Sequence, residues 1–311
     1  MISLLFIAFS LSSCEQDKAL YTYVNPFVGT GGHGHTFPGA TMPFGMVQLS
    51  PDSRLEGWDG CGGYHYSDSI IYGFSHTHLS GTGVSDYGDI LLAPTVGDIY
   101  YNNGVDGKPG YSSKFSHENE SAHAGYYQVN LEDYNIDVAL TASKRAGFHQ
   151  YTFPKSEQAN IILDLEHRDE VLESEIHITG NNEVVGFRRS KAWATDQYVY
   201  FVAQFSKDFK KSTIAQNDIP TDLLQLNDKE LKASFEFETE EGEQILVKVA
   251  ISAVSVASAR KNLEAEIPHW NFNKTLNEAK QAWNKELSKI EVDSDAETKH
   301  IFYTALYHSC I

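Results

Sequence analysis

A few short runs carry most of the side chains that could do chemistry. His33-Gly34-His35 and His76-Thr77-His78 each place two imidazoles at i and i+2. On extended backbone such a pair shares one face, so the two runs together could offer four nitrogens to a metal ion. Neither has the spacing of a strong zinc signal, and the plainer use is hydrogen bonding to loop backbone or to a polar ligand. Trp58-Asp59-Gly60-Cys61-Gly62-Gly63-Tyr64-His65-Tyr66 sets an indole, a carboxylate and several polar rings on a glycine-rich loop. A sugar presents apolar C–H faces and a rim of hydroxyls, so its site wants an aromatic platform with short hydrogen-bonding groups beside it. Trp58 and Asp59 suit those roles; the alternative for Trp58 is an anchor that packs its own loop. Cys61 has no basic neighbour in sequence, and nothing local marks it as an activated nucleophile.

Gly29-Thr30-Gly31-Gly32-His33-Gly34 fits the G-x-G-x-x-G spacing of a dinucleotide loop. That chemistry requires a helix to start there, with its amides on the pyrophosphate. The next residues, His35-Thr36-Phe37-Pro38-Gly39-Ala40-Thr41-Met42-Pro43, cannot be a helix, so the glycines read as close backbone approach in an ordered loop. Glu166-His167-Arg168-Asp169-Glu170 reads as a solvated turn, and Ser85-Asp86-Tyr87-Gly88-Asp89 as a turn built on its aspartates. No local pair of acids stands out as a hydrolase dyad, whose two carboxyls need only meet in space.

The elements that must hold these loops fall into three stretches. Tyr21 to about Thr82 is dense in Gly, Pro, His and aromatics, with strands expected at 46–49 and 70–74, and another at 89–93 closed by Pro94. From 126 to 252 come nine short β-branched and aromatic segments: 126–131, 136–142, 147–153, 159–164, 173–178, 184–189, 198–205, 231–238 and 245–252. Gly180-Asn181-Asn182 and Glu241-Gly242 mark turns, and Ser234-Phe235-Glu236-Phe237-Glu238 alternates as a strand with one wet face must. Many strands with no helices between them predict an antiparallel β-sandwich over 21–254. The period then turns helical. Linker helices are expected within 255–290, with Leu276, Ala279, Trp283 and Leu287 on one face of the second. Ser294-Asp295-Ala296-Glu297 has the form of a capping box, opening a third helix over 291–311 with Ile301, Ala305 and Leu306 inward. That helix meets no stop signal, and Phe302, Tyr303, Leu306 and Tyr307 have nothing obvious to pack on. The pattern reads as the truncated start of a helical domain.

At 311 residues the chain has room for about two domains. Lys and Arg number 24 against 42 Asp and Glu, a net charge of −18, which disfavours nucleic acid as a partner. Three cysteines exclude a dense disulfide framework. Residues 1–14 form an apolar run too short to span a bilayer, ending in Leu11-Ser12-Ser13-Cys14. This resembles a bacterial lipobox with Cys14 lipidated, although no Lys or Arg precedes the run; an ordinary secretory signal is the alternative. Residues 15–20 would be a tether, and the membrane would be met only through the lipid. The expected place is the periplasm, outer membrane or cell surface of a Gram-negative bacterium.

The loop strings together resemble a known family. Tyr23-Val24-Asn25-Pro26-Phe27-Val28-Gly29-Thr30-Gly31, Phe37-Pro38-Gly39-Ala40-Thr41 and Pro43-Phe44-Gly45-Met46-Val47-Gln48-Leu49-Ser50-Pro51-Asp52 are followed by Gly62-Gly63-Tyr64-His65-Tyr66 and by the run from Ile71 to Gly83. They resemble the N-terminal region of glycoside hydrolase family 92, the calcium-dependent exo-α-mannosidases. Phe302-Tyr303-Thr304-Ala305-Leu306-Tyr307-His308 resembles the point where that family passes into its second domain. The resemblance implies a sandwich joined by linker helices to an (α/α)6 barrel, with the active site between them. It implies an inverting reaction with a Glu acid and an Asp base, and a calcium ion on the mannose hydroxyls. Acid, base and most calcium ligands come from the barrel in that family, so no catalytic residue is expected in this chain and its metal ligands stay unassigned. The family's Trp in the segment matching Gly57-Trp58-Asp59 reaches the sugar, which gives Trp58 a substrate-binding role. Asp59, Cys61, His76 and His78 are expected near the same pocket. Where the family segment often carries a bulkier residue, this chain has Gly60. The expected partners are terminal mannosides of N-glycans or mannan, mostly α-1,2-linked, and the chain's own barrel. A non-catalytic carbohydrate-binding module, or an adhesion lipoprotein, is the reading from a different class.

Overall fold

The computed structural model describes residues 19–311. The expected lipobox at Cys14 lies outside them. Two antiparallel sheets face each other. The first has eight strands in the order Ala40–Thr41, Gln48–Asp52, Gly73–Ser75, Leu91–Val96, Ser156–Asp164, Leu231–Thr239, Lys211–Gln216 and Ile219–Thr221. The second has nine, in the order Gln225–Asp228, Glu170–Ile178, Glu183–Lys191, Gln197–Phe205, Glu243–Ser252, Ala146–Phe153, Ile136–Ala142, Tyr126–Leu131 and Glu120–His123. The mostly β, sandwich-plus-helices fold is therefore the one the patterning predicts.

The core forms where the inward residues of both sheets meet. Ile161, Leu163, Phe235 and Phe237 of the first pack with Val138, Leu140, Tyr151, Phe201, Val247 and Val249 of the second. Alternation shows directly: Phe235 and Phe237 are buried, Glu236 is half-buried and Glu238 exposed. Burying one such side chain contributes about 1.5–3 kcal/mol, which sets the register, because a one-residue slip would turn the whole set outward.

Three helices follow. The first, α1 (Val256–Glu266), is capped by the Ser255 side chain accepting from the Ser258 amide at 3.1 Å. It lays Ala259 and Leu263 on the outer face of the second sheet, against Phe148, Val202 and Ala250. The second, α2 (Phe272–Leu287), buries Ala279, Trp283 and Leu287 as its spacing predicts, with Leu276 half-buried. The Trp283 indole donates to the carbonyl of Thr41 at 2.8 Å and so reaches the first sheet's edge. The third, α3 (Ala296–His308), starts from a different cap than expected: Asp295, not Ser294, accepts from the Thr298 amide at 2.8 Å.

The inward face of α3 also differs from the expectation. Tyr303, Thr304 and Tyr307 are buried, while Ile301 and Ala305 face out and Leu306 is half-covered. The reason lies at the other end of the chain. The turn Leu20–Tyr23 packs against α3, so Leu20, Val24, Trp283, Tyr303 and Tyr307 share one small core. Thr304 accepts from the Asn25 amide at 3.0 Å, and His300 meets the Tyr23 carbonyl at 2.8 Å. The aromatic rings that looked stranded are those this turn covers.

Several strand readings change as well: the strand expected at 46–49 runs Gln48–Asp52, and that at 70–74 splits into Ile70–Ile71 and Gly73–Ser75, which lie in different sheets. Pro94 does not close its strand, which continues to Val96 with Pro94 opposite Ile161. A hairpin at Lys211–Gln216 and Ile219–Thr221 was not anticipated. Its two turn residues, Asn217 and Asp218, have φ of 51° and 60°, the left-handed pair that a tight hairpin turn demands.

Candidate functional site

The glycine-rich segment 29–35 is an ordered loop, not a helix start. Gly34 lies directly over Gly29: a Cβ at Gly34 would sit 2.1 Å from the Gly29 carbonyl oxygen. That close approach carries His33 and His35 against Trp58. The Trp58 ring lies 5.1 Å from His33 and 4.3 Å, edge-on, from His35. Behind it sits Gly83, where a Cβ would come 2.7 Å from the indole nitrogen. Trp58 nonetheless stays 57% exposed, so it is a supported platform and not a core anchor. Asp59 follows in the same turn of 3-10 helix, and its Oδ1 meets His33 Nδ1 at 2.6 Å and His35 Nε2 at 3.5 Å. The His33 hydrogen bond, outweighing slight desolvation, holds the Asp59 carboxyl below its ordinary range, so this corner presents an indole edged by an ionised carboxylate.

The remaining expected site residues lie beneath this surface. Cys61 is buried, and burial pushes its thiol up despite the nearby Arg168 charge. It therefore lacks a nucleophile's setting. His78 is also buried, with Nδ1 on the Gln48 carbonyl at 2.7 Å and Nε2 3.2 Å from both Ser75 Oγ and Asp52 Oδ1. His76 points between the sheets, away from any surface. Its Nδ1 meets the Ile90 carbonyl at 2.6 Å and its Nε2 meets His149 Nε2 at 2.9 Å; His149 Nδ1 meets the Tyr151 hydroxyl at 2.8 Å. Burial lowers the His76 pKa to about 4 and holds His149 well below its ordinary value. One arrangement satisfies every atom of this chain: the Tyr151 hydroxyl donates to His149, which donates to His76, which donates to Ile90. The two His-x-His runs thus do not converge. Among the described residues, no group of three or more His, Cys, Asp or Glu gathers as a metal site.

Buried charged residues that sequence reading passed over or read as turn residues hold this corner together. Asp52 is fully buried; burial alone would raise its pKa, but His78 and His167, each 3.2 Å away, hold it well below the carboxylate range. Its Oδ2 accepts from the Ser75 amide at 3.1 Å. The charge run 166–170 is no solvated turn, since His167 and Asp169 are buried. Burial, partly opposed by Arg188 and reinforced by Asp86, pushes the Asp169 carboxyl up to about 7. Arg188, fully buried, donates to the carbonyls of Leu165, His167 and Asp169 at 2.9, 2.9 and 2.8 Å, and to Asp89 Oδ1 at 2.6 Å. Asp89 is thus the buried half of an ion pair and more than a turn residue. These partners sit tens of residues apart, and no local spacing announces them.

A groove of about 400 Å³ opens beside the corner, lined by His78, Ser80, Thr82, Tyr87, Gln197 and Tyr198 among others. Thr82 in its wall is the chain neighbour of Gly83, which backs the indole.

Comparison with known proteins places this architecture. The glycosyl hydrolase family 92 N-terminal domain matches residues 23–252, and the family 92 catalytic domain matches residues 258–311. Among solved structures, the family GH92 α-mannosidase BT3965 of Bacteroides thetaiotaomicron superposes with a TM-score of 0.91 at 37% identity, over 94% of this chain and 41% of its own. That enzyme is also known in complex with mannoimidazole. A family GH92 inverting mannosidase, BT2199 of the same organism, superposes at 0.83 with 25% identity over 94% of this chain and 39% of its own. A protein of Arthroderma benhamiae described as an uncharacterized secreted glycosidase is 25% identical over 98% of this chain and 43% of its own length. The chain spans about two fifths of the length of these relatives. With the N-terminal domain matched across most of its residues, the chain belongs to glycosyl hydrolase family 92.

Proposed function

We propose that this chain builds the sandwich-side wall of the sugar pocket of an exo-α-mannosidase, and that Trp58 and Asp59 are its contacts with the terminal mannose. The observation that carries this is the exposed Trp58 ring, buttressed by His33, His35 and Gly83 and edged by the Asp59 carboxylate. The indole would take the C–H face of a pyranose, and the carboxylate would accept from its hydroxyls. The family membership and the mannoimidazole complex of a relative support mannose as the sugar. In this reading Cys61 and His78 shape the pocket from below, and His76 keeps the sheets in register, without touching substrate.

The reaction we infer is hydrolysis of terminal mannose with inversion, α-1,2 linkages first, from N-glycans or mannan. The description of one relative as inverting supports the stereochemistry. No acid or base is assigned here. The described residues of this chain do not fit calcium by themselves, as no carboxylate cluster gathers, so no step is derived through that ion. We also infer export, with a lipid on Cys14 holding the protein at a bacterial envelope; the secreted relative supports export.

The test is mannoside hydrolysis by the enzyme that carries this chain, before and after Trp58→Ala. A fall in kcat/KM of roughly tenfold or more, with the melting temperature unchanged, is the expected result. Full retained activity would remove Trp58 from the pocket. The isolated chain should turn over no aryl mannoside; measurable turnover would place the acid and base within it. Sugar binding by the chain without hydrolysis in any longer form would favour the binding-module reading.

A further inference from the structure

We propose that Arg168 is a positioning residue for the Trp58 platform, a role that deepens the mannose-pocket reading and rests on it for its functional meaning. The backbone around Arg168 is fixed from inside. Arg188 holds the carbonyls on either side of it, those of His167 and Asp169, and Asp164 Oδ1 accepts from the amides of Glu166 and His167 at 2.6 and 3.1 Å. Arg168 itself sits at φ 79°, a left-handed conformation that is strained for a residue with a Cβ. Such a conformation persists only where its surroundings over-determine it.

From that base the two neighbouring side chains diverge, one to the Trp58 turn and one to the buried Asp52. Arg168 Nη2 donates to the carbonyl of Gly60, the last residue of the 3-10 turn that begins at Trp58. His167 reaches Asp52, which lies against Gly63: a Cβ at Gly63 would come 2.7 Å from both Asp52 Oδ1 and His78 Cδ2. The Gly63 carbonyl accepts from the amides of Ser53 and Arg54 at 2.9 and 3.1 Å. The segment carrying Trp58 is therefore held directly at Gly60 by Arg168 and backed at Gly63, through Asp52, by the adjacent His167, both from a loop more than a hundred positions away. The Arg168 stem also packs on Gly88, where a Cβ would come 3.1 Å from its Cδ. Gly88 lies five residues along the chain from Gly83, which backs the indole, so the Arg168 side chain touches the Trp58 turn through its guanidinium at Gly60 and the loop behind the ring through its stem at Gly88. An aromatic platform contributes to affinity only if its plane is fixed before the sugar arrives, and a displacement of about 1 Å can cost on the order of a hundredfold in rate.

The experiment is a nitrogen-15 NMR spectrum of the chain, in which the four tryptophans give four indole N–H signals and Trp58→Phe identifies one of them. Arg168→Met keeps the apolar stem and removes the donors. It should shift and broaden the Trp58 signal while those of Trp193, Trp270 and Trp283 stay in place. Arg168→Lys keeps a single donor and should fall between Met and wild type. An unmoved Trp58 signal in Arg168→Met overturns the proposal. So does a shift or collapse of all four signals together, which would make Arg168 a general element of the fold. Titration with mannoimidazole then separates this inference from the function. With both correct, Arg168→Met weakens binding roughly tenfold. If the wild-type chain binds no mannoside analogue while the Trp58 signal still responds to Arg168→Met, the bracing stands and the pocket reading falls.

Discussion

The two ends of the sandwich are filled by different means. At the end formed by Phe205, Phe209, Phe235 and Phe237, the space between sheets is filled by aromatic rings, with centroids 4.6–6.2 Å apart. At the end beneath Trp58 the same space holds Asp52, His78, His167, Asp89 and Arg188, all buried and each partnered. An apolar core asks only for volume and pattern, and it tolerates related side chains. A buried polar cluster asks for every partner at once, because a single loss strands a charge in low dielectric. The contrast teaches where shape is being specified. The aromatic end stabilises the domain, and the polar end fixes the loops that form its candidate site.

The largest expected effect breaks the polar end. Arg188→Ala would leave Asp89 buried without its cation and three carbonyls without their donor. A loss of about 3–5 kcal/mol is expected, read from the midpoint of urea unfolding at unchanged slope. A loss below 1 kcal/mol would mean that water or a neighbour replaces the guanidinium, and the contrast would dissolve. The aromatic end should give more softly. Phe235→Leu, at a fully buried position, is expected to cost about 1–2 kcal/mol by the same measurement.

Acid should act on the same division. His76 has a folded-state pKa of about 4, below its unfolded value, so the folded chain binds fewer protons in between. Its stabilising contribution is complete above about pH 6.5 and is lost as pH falls toward 4. From this group alone, roughly 1.5 kcal/mol should disappear between pH 6.5 and 5. His149, shifted in the same direction, adds to the slope. Asp52 contributes in a lower window: its depressed pKa stabilises above the ordinary carboxylate range and is lost as pH falls through its folded value. Asp169, raised to about 7, acts in the opposite sense over the same window, because its folded form takes up the proton. The His76 slope is therefore read from denaturant midpoints of Asp169→Asn across pH 7 to 5, and adding Phe235→Leu should leave it unchanged. The smallest effect on stability belongs to Trp58→Ala, expected within about 0.5 kcal/mol because the ring is more than half exposed. A large melting shift there would make Trp58 a packing anchor instead.

Much of the fold was legible because it follows from local periodicity. Every strand from 126 to 205 was expected within a few residues of its place, and the buried face of α2 follows from its spacing of Ala279, Trp283 and Leu287. The misreadings share a cause. Hydropathy alone points Ile301 and Ala305 inward on α3, because it does not carry the return of Leu20–Tyr23 over Tyr303 and Tyr307. The run Glu166–Glu170 looked solvated because five consecutive polar residues usually are, yet Arg188 draws their backbone inside.

By itself the sequence determined the sandwich, its helical tail and the identity of the loop that presents Trp58. Alternation and glycine spacing act between near neighbours, and they survive whatever lies across the fold. It takes the folded chain to seal His76 between the sheets, to let His78 and His167 share Asp52, and to bring Arg168 to Gly60. Those contacts join residues 26 to 115 positions apart, and hydrogen bonds and charges are satisfied by proximity in space, which chain order does not encode.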